Sequence, residues 1–190
     1  MSTRTSRAST SYISSVILLF LTSCTATVDK RNIYRRTNSN FGYSDEAYVS
    51  YDKKKYKGKY KIGSPYEING KKYTPEKVTS YKEVGVASWY GDDFHNRKTA
   101  NGDVFDMNAM TAAHKTLPLP SVVRVTNLEN GKSAKLLIND RGPFVNDRLI
   151  DVSKKVAEVL GFREQGTTKV KVEFLKAETE KFLEKNNVEY

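Results

Sequence analysis

The sequence predicts a mainly β domain, a small closed barrel of short strands with one short helix, set behind an export signal and a flexible tether. Three observations carry that reading. Thr168 to Leu175 alternates with period two and keeps its lysines on one face, the pattern of a strand buried on one side. Val122–Leu128 and Ser133–Asn139 flank the turn Glu129-Asn130-Gly131-Lys132 and predict a hairpin. Short strands, closely spaced turns and one helix share about 90 residues, which suits a small closed β-barrel.

The amino terminus is a targeting segment. Arg4 and Arg7 form a positive start, and Ile13, Val16, Ile17, Leu18, Leu19 and Phe20 form a short apolar run. That run is shorter than the ~20 residues of a membrane span and fits a secretory signal. It ends in Leu21-Thr22-Ser23-Cys24, with small residues before the chain's one cysteine. A single cysteine forms no internal disulfide. The segment resembles a bacterial lipoprotein signal, which implies cleavage after residue 23 and acylation of Cys24. Thr25 in place of Asp then favours the outer membrane, on the periplasmic face. Losing residues 1–23 removes two arginines and no acid, so the net charge falls only from +10 to +8. Such a balance favours anionic partners.

Residues 24–61 read as a basic tether. Tyr43, Tyr48, Tyr51, Tyr56 and Tyr60 alternate with lysines such as Lys53-Lys54-Lys55, and hydrophobic periodicity is weak. Basic runs with aromatics bind single-stranded nucleic acid in other settings, but an exported lipoprotein meets none. The run is a solvated tether or lies on anionic head groups. Residues 62–82 read as a collar, with turn signals at Gly63-Ser64-Pro65 and Asn69-Gly70. Residues 83–176 form the barrel. Gly85–Gly91 is a further strand, and one helix runs from an N-cap at Ser153 to a stop at Gly161, with Val156, Val159 and Leu160 on its apolar face. Residues 177–190 form a charged tail, read as a frayed helix.

The stretch Leu136-Leu137-Ile138-Asn139-Asp140-Arg141-Gly142-Pro143-Phe144 holds the main candidate chemistry. An apolar strand ends in a carboxylate beside a guanidinium, where rigid elements present functional groups to solvent. The same residues also suit a structural ion pair at a Gly-Pro turn. Trp89 and Tyr90 are aromatic platforms of the kind that stack on sugars, or else core; strand alternation turns one of them outward. His95 and His114 are the only histidines, so a multi-histidine zinc site is not expected, and neither is any other metal or cofactor.

Taken in order, ASWYG, TANGDVFD, AAHKTLPLP, VRVTNLENG, NDRGPF and DRLIDVS resemble the motifs of the rare lipoprotein A family over roughly residues 58–175. The resemblance implies a six-stranded double-psi β-barrel and a lytic transglycosylase acting on peptidoglycan glycans without stem peptides, in wall remodelling or daughter-cell separation. It implies catalytic roles for Asp140, His114 and Asp103. It implies substrate contacts from Trp89, Tyr90, Phe94, Thr99, Asn101, Asn139, Arg141 and Arg148. Partners are then glycan strands and, through Cys24, a lipid bilayer. Expansin-like relatives with this barrel bind glycan without cleaving it, which is the alternative. Asp103 stands where the family often has Glu, one methylene shorter, and a displacement near 1 Å can cost about a hundredfold in rate. Residues 177–190 do not hold the glycan-binding domain that many members append, which leaves septal against general envelope localisation open.

The implied reaction needs a positioned acid for the leaving oxygen. It needs no attacking water, because the muramic 6-hydroxyl attacks C1 and leaves a 1,6-anhydro end. One carboxyl of raised pKa then serves as acid and afterwards as base. Arg141 either receives the substrate's lactyl carboxylate or lowers the pKa of Asp140.

Overall fold

The computed structural model describes residues 56–145 and 147–190, so the signal, Cys24 and most of the tether lie outside the described residues. The strands are β1 (Tyr66–Ile68), β2 (Lys71–Tyr73), β3 (Lys82–Tyr90), β4 (Thr111–His114), β5 (Ser121–Asn127), β6 (Ser133–Asp140), β7 (Arg148–Ser153) and β8 (Thr167–Phe174). The α-helices are α1 (Lys154–Leu160) and α2 (Lys176–Lys185). A 3-10 turn covers Asp92–Phe94.

Strands β3 to β8 close into one barrel in the order β3-β7-β4-β6-β5-β8. Two of its seams are parallel, β3 with β7 and β4 with β6; the other four are antiparallel. Each parallel seam carries one register shift, between Val86 and Ala87 and between Ala112 and Ala113. The expected hairpin is β5–β6, with Ser121 opposite Ile138 and Thr126 opposite Ser133. β4 and β7 had no individual signature in the sequence. β4 is buried at all four positions, so it lacks the alternation that marks a half-exposed strand.

Inward-facing Ala87, Ala112, Val123, Val125, Leu136, Ile138, Ile150, Val152, Val170 and Val172 fill the barrel. Helix α1 adds Val156, Ala157 and Leu160, with Phe162 behind them. Its start is capped as expected: Ser153 accepts the Val156 N–H and its hydroxyl donates to the Ala109 carbonyl at 2.6 Å. Gly161 ends it at φ 74°, a left-handed conformation that glycine adopts without Cβ strain. The collar is the β1–β2 hairpin. Its turn residues Asn69 and Gly70 have φ 52° and 75°, the geometry that favours Asn-Gly in two-residue loops.

The tail differs from expectation. Residues 176–185 form a packed helix rather than a frayed one, because Phe182 and Leu183 are buried. Phe182 meets the Tyr56 ring edge-on at 5.1 Å, in a cluster with the outward-facing Val122 and Leu137. Thr179 accepts the Val122 N–H at 2.9 Å. The helix therefore covers one outer face of the barrel. Leu183→Ala should cost about 2–5 kcal/mol, the range for truncating a buried leucine. Urea unfolding checks this, and a shift under about 0.5 kcal/mol would restore the frayed tail.

Candidate active site

The site begins with the register shift in the β4–β6 seam. Ala112 pairs with Ile138, but Ala113 pairs with Asp140. Asn139 is the extra residue of a bulge, a device that re-aims the next side chain. Ile138 faces the core, and without the bulge Asp140 would point inward with it. With the bulge, Asp140 shares the outer face of Ala113, half-buried at the strand's end. Its Oδ1 accepts two backbone N–H groups, from Ala100 at 2.8 Å and Arg141 at 2.8 Å. Oδ2 has no hydrogen-bond partner among the described residues. Burial raises the pKa of this carboxyl, against the opposing pull of the two N–H groups and of Arg141.

Arg141 does not pair with Asp140. Its Nη1 donates to the carbonyls of Leu117 (2.6 Å) and His114 (3.2 Å), and its Nη2 to the carbonyl of Ile62 (2.7 Å). The guanidinium thus ties the collar and the β4 exit to the end of β6. This settles the orientation that the sequence left open and takes Arg141 out of direct carboxylate recognition at Asp140. Beyond it lies a cleft of about 420 Å³ between collar and barrel, lined by Lys61, Tyr66, Pro75, Arg141 and Phe144 among others.

Four expected site residues, the catalytic candidate Asp103 and the contact candidates Asn139, Thr99 and Asn101, are buried. Asp103 is 1% exposed and Asn139 is fully buried. Asp103 Oδ2 accepts from Asn139 Nδ2 at 3.0 Å, and Oδ1 from the Lys57 N–H at 3.2 Å. Thr99 donates to Asn101 Oδ1 at 2.9 Å, and Asn101 Nδ2 donates to the Tyr56 hydroxyl at 2.9 Å. Burial, with Asp103 nearby, pushes the Tyr56 phenol well up. These groups cannot touch a polymer as folded. They knit the 98–104 loop so that the Ala100 N–H reaches Asp140, and they brace the bulge from beneath.

His114, the other catalytic candidate beside Asp140, is buried as well. It is 2% exposed and pairs with the core-facing Ile150, so its ring lies on the opposite face of β4 from Ala113 and Asp140. Nδ1 accepts the N–H groups of Leu117 (3.1 Å) and Thr116 (3.3 Å), which leaves the neutral ring's proton on Nε2. Nε2–H meets the Tyr81 hydroxyl at 2.9 Å, and that hydroxyl donates to Glu83 at 2.6 Å. The ring therefore holds the loop whose Leu117 carbonyl receives Arg141. Burial first, then Arg141 and Lys115, lower its pKa to about 3.

Of the aromatics, Trp89 packs on the core and donates Nε1–H to the Arg163 carbonyl at 3.0 Å. Tyr90 stacks on Phe105 at 4.3 Å and meets Phe94 edge-on at 5.8 Å. Phe94 is the exposed member at 49%. Arg148 Nη1 donates to Ser88 Oγ at 2.8 Å and lies 3.9 Å from Asp151. Sequence reasoning did not single out Asp151, Tyr81 or the Ala100 N–H. The DRLIDVS motif contained the first, but only pairing shows what it faces.

The six-stranded closed barrel with its two parallel seams is a double-psi β-barrel domain, and residues 82–172 match the family model described as lytic transglycolase. The chain belongs to the rare lipoprotein A family. It is 62% identical over 131 residues to the endolytic peptidoglycan transglycosylase RlpA of Rickettsia bellii, covering 67% of this chain and 58% of that protein. It is 59% identical over 109 residues to the protein of the same name from Neisseria meningitidis serogroup A, covering 57% and 46%. The chain thus spans about half the length of the curated relatives it matches. Among solved structures, the Streptomyces papain inhibitor aligns at TM-score 0.42 and 20% identity, covering 50% of this chain and 94% of that one.

The His114 geometry has a pH consequence. The unfolded imidazole titrates near 6.5 and the folded one at about 3. In that window the unfolded chain binds the extra proton, so His114 stabilises fully above pH ~6.5 and progressively less as pH falls. Between pH 7.5 and 5.0 the wild type should lose about 2 kcal/mol more than His114→Asn, which keeps an acceptor near Nδ1 and cannot titrate. Urea denaturation of both proteins at the two pH values measures the difference; equal losses would mean that the ring is not buried neutral.

Proposed function

We propose that this chain is an endolytic lytic transglycosylase that cleaves peptide-poor peptidoglycan strands to 1,6-anhydro-muramic ends. The observation that carries the reading is Asp140: a half-buried carboxyl with a raised pKa, re-aimed outward by a bulge, with one oxygen held and the other open. That is what a general acid for a glycosidic oxygen requires. The relatives bearing the transglycosylase name supply the reaction class.

In this reading Asp140 gives its proton to the leaving oxygen as the C1–O bond breaks, and its carboxylate then takes the proton of the muramic 6-hydroxyl as that oxygen bonds to C1. Arg141 and His114 act as positioning residues: the first anchors the strand end, the second the loop that the first grips. Asp103 and Asn139 set the bulge from below. The half-buried Arg148 and Lys115 attract the anionic lactyl groups of stripped glycan. Tyr66 and Phe144 in the collar cleft offer aromatic surface to an adjoining sugar. The shorter carboxylate at position 103 does not weaken the case, since it holds protein atoms and not substrate.

Asp140→Asn tests this on peptide-free glycan, with anhydro ends scored by mass. Asparagine keeps an acceptor for both N–H groups but has no acidic proton. Turnover should fall at least a hundredfold, roughly the contribution of acid catalysis, with little change in melting temperature. A wild type that binds glycan and releases no anhydro ends would instead make the protein an expansin-like binder.

The same reading places the protein in the cell envelope, anchored by acylated Cys24, with the outer membrane favoured by Thr25. Several acyl chains would hold it stably, at about 0.8 kcal/mol per buried methylene. Cys24→Ala should abolish palmitate labelling in cells, and equal labelling of both proteins would exclude the anchor.

A further inference from the structure

Residues 56–62, Tyr-Lys-Gly-Lys-Tyr-Lys-Ile, lie outside the 82–172 span that matches the family model. They nonetheless run through the support of Asp140. Lys57, Lys59 and Lys61 are exposed, whereas Tyr56 is buried and Gly58, Tyr60 and Ile62 are half-buried. That alternation marks an extended segment laid along a surface.

This entry segment bonds to three parts of the protein that border Asp140. The first is the 98–104 loop. Lys57 N–H donates to Asp103 Oδ1 at 3.2 Å and Lys59 N–H to the Asn101 carbonyl at 2.9 Å. The Tyr56 hydroxyl accepts from Asn101 Nδ2 at 2.9 Å, and Lys61 Nζ reaches the Ala100 carbonyl at 3.4 Å. The second is the segment after β4, where Lys61 and Leu119 exchange backbone bonds of 2.7 and 2.9 Å. The third is Arg141, whose Nη2 donates to the Ile62 carbonyl.

Gly58 lies against the Tyr56–Asn101 pair. A Cβ there would sit 2.5 Å from the Tyr56 hydroxyl oxygen and 2.7 Å from Asn101 Nδ2. Neither group has room to retreat, because both residues are buried and the Tyr56 ring is packed on Phe182. Close approach of backbone to side chains is what demands glycine here. Asn101 in turn follows Ala100, whose N–H holds Asp140 Oδ1 at 2.8 Å. The loop's own bonds, Thr99 N–H to the Asp103 carbonyl and Gly102 N–H to the Thr99 carbonyl, close it on itself. The entry segment ties the closed loop down.

Resting on the proposed reaction, we infer that residues 56–62 are a positioning element of the active site: by gripping Asn101 and Asp103 they keep the Ala100 N–H on Asp140. The single catalytic carboxyl stays Asp140. The entry segment acts only through the loop, and its loss leaves that carboxyl free to turn. A misplacement near 1 Å at a reacting group can cost about a hundredfold in rate.

Two substitutions in the full exported chain test this on peptide-free glycan. Gly58→Ala drives Tyr56 and Asn101 apart and should lower kcat about a hundredfold. Tyr56→Phe keeps the ring on Phe182 and removes one hydrogen bond, so kcat should fall about five- to tenfold. KM should stay within about threefold in both. Neither substitution changes a charge near Asp140, where Arg141 is the ionised neighbour and Lys61 lies on the Ala100 carbonyl. Losing the Ala100 N–H removes a bond that favours the carboxylate. The alkaline limb of kcat/KM, which reports a protonated Asp140, should therefore move to higher pH. Amide exchange at Ala100 should quicken in both variants while β5 and β6 amides keep their protection. Tyr56→Phe decides the matter if Gly58→Ala fails to fold. Variants that lose rate with an unmoved limb and unchanged Ala100 exchange would make the segment a mere support and overturn the inference. So would variants that keep the wild-type rate and limb. A wild type without anhydro ends would overturn the reaction itself, and the inference with it.

Discussion

The extra residue at Asn139 is the constraint on which the site depends. A strand alternates strictly, so an uninterrupted β6 would send Asp140 into the barrel after Ile138. One unpaired position reverses that. The bulge would be costly if its amide were left without partners, because a buried polar group needs hydrogen bonds. Asn139 Nδ2 donates to Asp103, which also accepts from the Lys57 backbone, while Asn139 Oδ1 is buried without a partner among the described residues. The carboxylate at position 103 is thus an internal strut, which fixes the bulge and ties the chain's entry segment to it.

The same economy governs the other side of the site. Arg141 follows Asp140 directly, and in an exposed loop the two charges would pair. Here three carbonyls from the collar and the β4 exit draw the guanidinium away. They can do so because His114 accepts two N–H groups of the 115–117 segment and fixes where the Leu117 carbonyl lies. A planar donor set meets three fixed acceptors, a match that a lysine cannot reproduce. Asp140 is left with burial as the main influence on its proton.

Much of the barrel was legible in the sequence. Alternation gave β8 and the β5–β6 hairpin, and the Ser153 and Gly161 signals bounded α1, because those patterns are local. β4 and β7 were not individually legible, since β4 is buried at every position and β7 is partly exposed only at Arg148 and Asp151, three residues apart and not two. The packing of α2 was hidden too. Its composition is charged, and the two residues that anchor it, Phe182 and Leu183, have meaning only against Tyr56, Val122 and Leu137.

The site divided in the same way. Motif order pointed to Asp140, Asp103 and His114, and all three serve one end of the barrel. Motifs do not encode facing. Asp103, Asn139, Thr99 and Asn101 lie in motif positions, and in the fold they are buried and hydrogen-bonded within the protein. The loss of one methylene at position 103 looked like a withdrawn catalytic carboxylate. Against the folded chain it is a buried acceptor that reaches Asn139 and the Lys57 backbone at its present length. Asp151 was the converse case: an unremarked residue inside a motif, whose neighbours Ala113 and Ser88 on the flanking strands only the fold reveals.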